Sequence, residues 1–67
     1  MKKEYTDFIE ANQAFFQQNS GVNRDVVVRA YEIYNDVFGK NKKPSGCYRC
    51  WKTVKEELYQ KYLQDNV

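Results

Sequence analysis

Two cysteines three residues apart are the side chains of this sequence best suited to redox or metal chemistry. Cys47 and Cys50 form a C-x-x-C at the start of a predicted helix, close to Lys43 and Arg49, and positive surroundings favour the reactive thiolate. A thioredoxin-like redox site would also need a preceding strand, which the sequence does not offer. A structural zinc site needs four ligands. With two cysteines and no histidine, zinc would have to be shared with a second copy or a partner.

The spacing of the two cysteines has a simpler interpretation. Residues three or four apart lie on the same face of a helix, and the predicted inner face reads Cys47, Cys50, Trp51, Val54, Leu58 and Tyr62. A buried thiol behaves as a small apolar side chain. We therefore predict two buried cysteines, with an intermolecular metal site at Cys47 and Cys50, or redox behaviour including a local disulfide, as the alternatives.

The positive charge of the chain is concentrated in one block. The net charge is +2, yet the stretch from Val37 to Lys55 holds six bases and no acid, so the remainder has five bases against nine acids, a net of −4. The six bases are Lys40, Lys42, Lys43, Arg49, Lys52 and Lys55. A basic loop leading into a helix is typical of an anion-binding site. A solvated loop and helix face is the alternative interpretation.

Two tyrosines extend this block along the same helix. Tyr48, Lys52, Lys55 and Tyr59 fall at offsets 0, 4, 7 and 11, which places them on one stripe beside the inner face. Aromatic rings alternating with lysines are suited to stacking on bases and neutralising phosphates. The candidate binding residues are therefore the six bases together with Tyr48 and Tyr59.

Catalytic chemistry is not indicated by the sequence. The chain has no histidine, which is the commonest general base near neutral pH. Its carboxylates are scattered over outer helix faces, and no glycine-rich phosphate-binding motif occurs. We expect no enzymatic activity, no catalytic residues and no cofactor.

Three segments have the apolar periodicity of amphipathic helices. We predict helices over about 3–18, 24–38 and 46–63, separated by residues that end or cap helices. These residues are Gly21, Asn23, Gly39 and Ser45. A strand over the three valines at 26–28 is the competing prediction, but no partner strand is present.

Three amphipathic helices with short connections predict an all-α protein, a compact three-helix bundle or an equivalent orthogonal packing. The eleven aromatic residues, 16% of the chain, provide large side chains for a core. We expect a single helical domain over 1–67. No apolar run is long enough to cross a membrane, and no signal-peptide pattern is present, so we expect no membrane partner and an intracellular location.

Seven residues, from the last turns of the second predicted helix to the first turn of the third, follow the pattern Y-N-x-x-x-G-x-N-K-x-x-x-x-C-x-x-C. They are Tyr34, Asn35, Gly39, Asn41, Lys42, Cys47 and Cys50. The stretch from Tyr31 to Lys55 resembles short uncharacterised helical proteins encoded by tailed bacteriophages, including the crAss-like group of gut phages. The resemblance implies a phage context, in the host cytoplasm or within a virion, and it implies no particular site.

Two functions are consistent with these patterns. The first is a small phage-type accessory protein that docks on a larger protein assembly, or on further copies of itself, through the basic, tyrosine-bearing surface at 40–59. The alternative is a nucleic-acid-binding module that uses the same basic block. The sequence predicts that either function depends on the eight candidate residues.

Overall fold

Four helices make up the protein in its computed structural model, which describes residues 1–17, 23–44 and 48–65. They are α1 Lys3–Ala11, α2 Gln13–Gln17, α3 Arg24–Phe38 and α4 Tyr48–Asp65. No strand occurs in the described residues, so the prediction of an all-helical protein is confirmed, and the valines at 26–28 are helical. The radius of gyration is 10.8 Å, which agrees with the value of about 11 Å expected for a compact chain of this length.

The segment predicted as one helix over 3–18 is divided at Asn12. The Asn12 amide bonds to the Ile9 carbonyl at 3.2 Å, three residues back. The Asn12 side-chain amide donates instead to the Phe8 carbonyl at 2.8 Å, the acceptor that a continuous α-helix would have offered to the Asn12 backbone. Asparagine side chains compete with helical hydrogen bonds in this way. The periodicity therefore continues through Asn12, but the helix does not.

Helix α3 has the bounds that the sequence predicts, because both of its ends are capped. The Asn23 side chain accepts hydrogen bonds from the amides of Asp25 and Val26, at 3.0 and 3.4 Å. At the other end Gly39 has φ 66°, a left-handed conformation that glycine adopts without strain. The Lys40 amide then bonds to the Asn35 carbonyl at 3.0 Å, the six-residue closure of a Schellman ending.

Helix α4 begins at Tyr48 in the described residues and ends at Asp65, two residues beyond the predicted end. The predicted cap at Ser45 and the predicted start at 46 lie outside the described residues. The inner face of α4 follows the predicted periodicity at Trp51, Val54, Leu58 and Tyr62, all of which are buried.

The core is built from the inner faces of α1, α3 and α4 with one aromatic ring from α2. The largest fully buried side chains are Tyr31, Tyr34, Ile9, Ile33, Leu58 and Val54. Burying an aliphatic side chain of this size contributes about 1.5–3 kcal/mol. From α2, Phe16 packs against Trp51 with ring centroids 6.2 Å apart.

Three tyrosine hydroxyls connect the three longer helices to one another. Each donates a hydrogen bond to a carboxylate on a different helix. The pairs are Tyr5 with Asp36 at 2.6 Å, Tyr34 with Glu57 at 2.5 Å and Tyr62 with Glu10 at 3.1 Å. Core tyrosines can therefore be buried while their polar ends reach acceptors at the edge of the core.

Candidate functional site

The polar segment that follows α3 is fastened to that helix by one side chain. Asn35 Oδ1 accepts a hydrogen bond from the Lys42 amide at 2.9 Å, and Asn35 Nδ2 donates to the Lys42 carbonyl at 2.7 Å. Two hydrogen bonds from one amide side chain use both its donor and its acceptor. The backbone at Lys42 therefore has a defined position beside α3.

The side chain of Lys42 passes close to an aromatic ring that is itself fixed. Lys42 Nζ lies 5.4 Å from the centroid of Tyr34, within the range of a cation–π attraction. Tyr34 is buried, and its hydroxyl is bonded to Glu57. Four residues of the Y-N-x-x-x-G-x-N-K pattern, Tyr34, Asn35, Gly39 and Lys42, thus meet at the end of α3 and set the course of the segment after it.

A groove of about 440 Å³ opens between this segment and the N-terminal half of α4. We call it the basic groove. The described residues that line it are Tyr31, Lys42, Lys43, Arg49, Cys50 and Thr53. Lysines from the segment after α3 and the arginine of α4 reach this groove from separate elements, so the fold brings together cations that are up to seven residues apart in the sequence.

The electrostatics of the basic groove favour an anionic ligand. It has three cations, and none of the described residues that line it is acidic. A cleft lined by charges of one sign focuses the field and raises the local concentration of ligands of opposite charge. A carboxylate or phosphate placed between these cations would also relieve their mutual repulsion.

The floor of the basic groove is aromatic and rigid. Tyr31 is only 1% exposed, and its ring stacks on that of Trp51 with centroids 6.3 Å apart and planes 23° from parallel. Trp51 is in turn packed against Phe16. A ligand entering the groove would therefore meet an apolar base below a cationic rim.

Three further candidate residues lie on the surface outside the basic groove. Lys40 and Lys52 are exposed. Tyr48 is 47% exposed, an unusual exposure for so large a ring in this protein. These three residues extend the accessible basic surface beyond the groove lining in both directions along the chain.

Lys55 is not part of the accessible surface, in contrast to its predicted role in binding. It is 3% exposed, and its Nζ lies 6.0 Å from the centroid of Tyr48. The cause is its position, because Lys55 falls four residues after Trp51 and one after Val54, on the side of α4 that packs against the core. At Lys55, the stripe that was predicted to lie beside the inner face is therefore part of that face.

Tyr59 is packed within the protein rather than projecting from it. Its ring stacks on Phe16 and on Tyr62, with centroids 6.1 and 5.7 Å apart, and its hydroxyl accepts a hydrogen bond from Gln17 at 2.9 Å. Half-buried on α4, it closes the aromatic layer between α2 and α4. Of the predicted stripe, Tyr48 and Lys52 are therefore accessible to a ligand. Lys55 is buried, and the ring of Tyr59 is packed against two other rings.

The cysteine of the described residues does not have the predicted environment. Cys50 is exposed, so its predicted burial is wrong. Trp51 and Val54 occupy the inward positions of α4, and Cys50 lies at the margin of that face, where it lines the basic groove. Cys47 lies outside the described residues. Among the residues that the structure describes, no group of three or more histidine, cysteine or acidic side chains is placed to hold a metal ion.

A second groove, on another part of the surface, has different chemistry. It measures about 600 Å³ and lies between the end of α3 and the C-terminal half of α4. Its lining is Phe38, Glu56, Glu57, Gln60, Lys61 and Gln64. Two carboxylates against one ammonium make this groove a poorer place for an anion than the smaller basic groove.

Three residues of the basic site were not predicted from the sequence. Asn35 supplies its anchor, Tyr31 its floor and Thr53 part of its wall. Thr53 lies four residues after Arg49 and three after Cys50, so helical spacing would have placed it beside them. Asn35 belongs to the Y-N-x-x-x-G-x-N-K pattern, but that pattern by itself did not predict a role for it.

Known proteins offer no guide to the function of this chain. No protein-family model, curated protein or solved structure matches this chain. Within the described ranges, no helix combines the length and the apolar character that a membrane crossing requires.

Proposed function

We propose that this protein is a non-enzymatic binding module that docks on an acidic surface of a larger protein assembly. The accessible cations that would make the contact are Lys40, Lys42, Lys43, Arg49 and Lys52. One observation carries the proposal: three of these cations converge on a groove whose described lining has no carboxylate. Fields of one sign guide association and select partners of opposite charge.

Aromatic and arginine side chains at the same place support a protein partner. Tyr48 is exposed next to Arg49, and tyrosine and arginine are enriched among the residues that dominate protein interfaces. The resemblance to short proteins of tailed bacteriophages suggests which assembly to test first. We include in the proposal that the partner belongs to a virion or to a complex in the infected host.

A nucleic-acid partner is the second candidate, favoured by the five exposed cations and by Tyr48. It is less well supported by the geometry. Sequence-tolerant binding to single strands uses several aromatic rings on which successive bases stack. Of the predicted stripe, half-buried Tyr59 has its ring stacked on Phe16 and Lys55 is buried, so Tyr48 is the one exposed ring.

A pair of matched charge reversals tests the proposed function. The variant Lys42→Glu with Arg49→Glu changes two groove cations, and the variant Lys3→Glu with Arg24→Glu changes two exposed cations elsewhere. Each lowers the net charge from +2 to −2, because each substitution removes one positive charge and adds one negative charge. The tagged parent and both variants would be used to retrieve partners from lysates of phage-infected and uninfected cells, with quantitative mass spectrometry.

The two variants should behave differently although their net charges are equal. We expect the proteins retrieved by the parent to be lost with the groove variant and kept with the control variant. Equal loss with both would show that net charge alone drives association, and retention with both would refute the proposed surface. Titration of random DNA and RNA at about 50 and about 200 mM salt separates the second candidate, since phosphate binding weakens steeply over that range.

A further inference from the structure

We propose that the basic groove is a site for an acidic peptide segment in which one large apolar side chain is flanked by carboxylates. This inference rests on the proposed function and specifies the partner's chemistry. The apolar side chain would enter the groove and contact Tyr31 and Cys50. The carboxylates would meet Lys42, Lys43 and Arg49 at the rim.

The size of the groove fits a compact group rather than a flat contact. Its volume of about 440 Å³ lies within the range of about 300–1,000 Å³ in which proteins hold small ligands. One large side chain with its adjoining backbone is a group of that scale. An extended acidic surface without a projecting side chain would leave this volume to water.

The floor gives the apolar part of the specificity. Tyr31 is stacked on Trp51 and is 1% exposed, so it closes the bottom of the groove, and the apolar surface that a ligand would cover lies mainly on Cys50 and on the stems of the rim side chains. Cys50 adds an exposed, polarizable side chain on the α4 wall. An aliphatic or aromatic side chain would remove apolar surface from water here, which free phosphate or a simple polyanion cannot do.

The rim gives the charged part of the specificity. Asn35 holds the backbone of Lys42 by two hydrogen bonds, so the lysine side chain extends to the rim from a fixed backbone position. Arg49 has a planar guanidinium that pairs with a carboxylate through two parallel hydrogen bonds. Thr53, four residues along α4, adds a hydroxyl to the same wall. Carboxylates on both sides of an apolar residue match cations on both sides of the groove.

The first test varies the ligand. A fluorescent peptide with the sequence Asp-Glu-Phe-Glu-Asp would be titrated with the parent protein by anisotropy, beside an analogue with alanine for phenylalanine and an analogue with asparagine and glutamine for the acids. We expect the parent peptide to bind at least about fivefold more tightly than either analogue. Equal binding of the alanine analogue would overturn the apolar component, and equal binding of the amide analogue the charged one.

The second test varies the protein with a matched control on the same helix. Arg49→Ala and Lys61→Ala each remove one cation from α4, but only Arg49 lines the basic groove. Alanine is the best helix former, so both variants should keep the parent's helical circular dichroism. We expect Arg49→Ala to weaken binding of the phenylalanine peptide at least about fivefold. Lys61→Ala should change it less than about twofold, because Lys61 lies about 18 Å further along the helix, beyond the screening length of about 8–10 Å.

The outcomes separate the groove site from the proposed function. Equal weakening by Arg49→Ala and Lys61→Ala would overturn the groove site and show that overall positive charge attracts the peptide. A third variant, Thr53→Trp, fills the groove without changing charge, and we expect it to abolish peptide binding while the control variant Lys61→Ala retains it. Full binding by Thr53→Trp would place the peptide elsewhere and overturn the inference even where the matched charge reversals support the proposed function.

Discussion

The hydroxyl of Tyr34 donates a hydrogen bond to Oε2 of Glu57, 2.5 Å away, and so joins α3 to α4 beside the polar segment that follows α3. Tyr34 is 2% exposed, whereas Glu57 lies at the surface. The core thus contains a large aromatic side chain whose hydroxyl has a hydrogen-bond acceptor. The desolvation free energy of the Glu57 carboxylate is small, because its other side remains in water.

This relationship is repeated in a cyclic arrangement among the longer helices. In the described residues α1 donates from Tyr5 to Asp36 on α3, α3 donates from Tyr34 to α4, and α4 donates from Tyr62 to Glu10 on α1. Each of these helices therefore gives one hydroxyl and accepts another. Because apolar contacts are not directional, such hydrogen bonds help to select one relative placement of the helices among several that would bury similar area.

Removing the Tyr34 hydroxyl should destabilise the protein. We expect Tyr34→Phe to lower the free energy of unfolding by about 1–2 kcal/mol, since a hydrogen bond to a charged group is lost from a residue that otherwise keeps its packing. Glu57→Gln should cost less, and the double variant should cost less than the sum of the two. Denaturant unfolding of the four proteins measures the coupling, and Glu56→Gln on the neighbouring exposed position is the control. Additive effects would contradict a direct Tyr34–Glu57 interaction.

Stability should decline in alkaline solution. The hydrogen bond to Glu57, together with burial, raises the pKa of Tyr34 to about 12, whereas an unperturbed tyrosine titrates near pH 10. The folded state therefore holds this proton more tightly than the unfolded state. The resulting stability is fully present below about pH 10 and is lost as the pH rises towards about 12.

Denaturant unfolding from about pH 8 to about pH 12 would measure this decline, with tyrosinate absorbance as an independent record of titration. Tyr34→Phe should show a shallower decline than the parent. It should not be flat, because the hydrogen bond to Asp36 raises the pKa of Tyr5, and burial with the Glu10 hydrogen bond raises that of Tyr62. An unchanged slope in the variant would mean that Tyr34 is not a source of the pH dependence.

Periodicity predicted the core well because burial follows helical geometry. The bounds of α3 and the inner face of α4 at Trp51, Val54 and Leu58 agree with the pattern of apolar residues. The same pattern did not predict the break at Asn12, since periodicity records which residues face inward and not whether each carbonyl keeps its α-helical donor. The break follows from one side-chain hydrogen bond to Phe8.

The candidate site was predicted less completely because its chemistry depends on small rotations of α4. Lys55 and Cys50 lie on opposite margins of the inner face. Lys55 was predicted to lie outside this face and is buried, whereas Cys50 was predicted to lie on it and is exposed. A difference of a few tens of degrees in helix rotation decides such positions. The concentration of positive charge is visible in the sequence itself, but its convergence into a groove depends on the folded course of the segment after α3, which Asn35 anchors.

An exposed Cys50 leads to expectations opposite to those for a buried thiol. Cys50→Ser should change the free energy of unfolding by less than about 0.5 kcal/mol, because exposed positions tolerate such exchanges. In the Cys47→Ser background, Cys50 should react with a water-soluble thiol reagent in the native protein nearly as fast as in the unfolded one. The same background with and without a chelator should show equal thermal midpoints. Protection of Cys50 in the native state would contradict its placement at the groove.

The contact between Asn35 and Lys42 allows a local prediction that global stability alone would not give. In Asn35→Ala the Lys42 amide loses its acceptor, Asn35 Oδ1, and should exchange with solvent deuterium at least about tenfold faster. The Lys40 amide bonds to the backbone carbonyl of residue 35, which the substitution retains, so its exchange should stay within about twofold of the parent and serves as the internal control.

The same variant links the fold to the proposed site. Because Lys42 would lose its fixed backbone but keep its charge, Asn35→Ala should weaken binding of the acidic phenylalanine peptide without altering net charge. Amide exchange by nuclear magnetic resonance and peptide anisotropy can be measured on one sample. Faster exchange at Lys42 with unchanged peptide affinity would show that anchoring of the segment is structural and independent of binding. Equal acceleration at Lys40 and Lys42 would instead indicate that the end of α3 had unravelled.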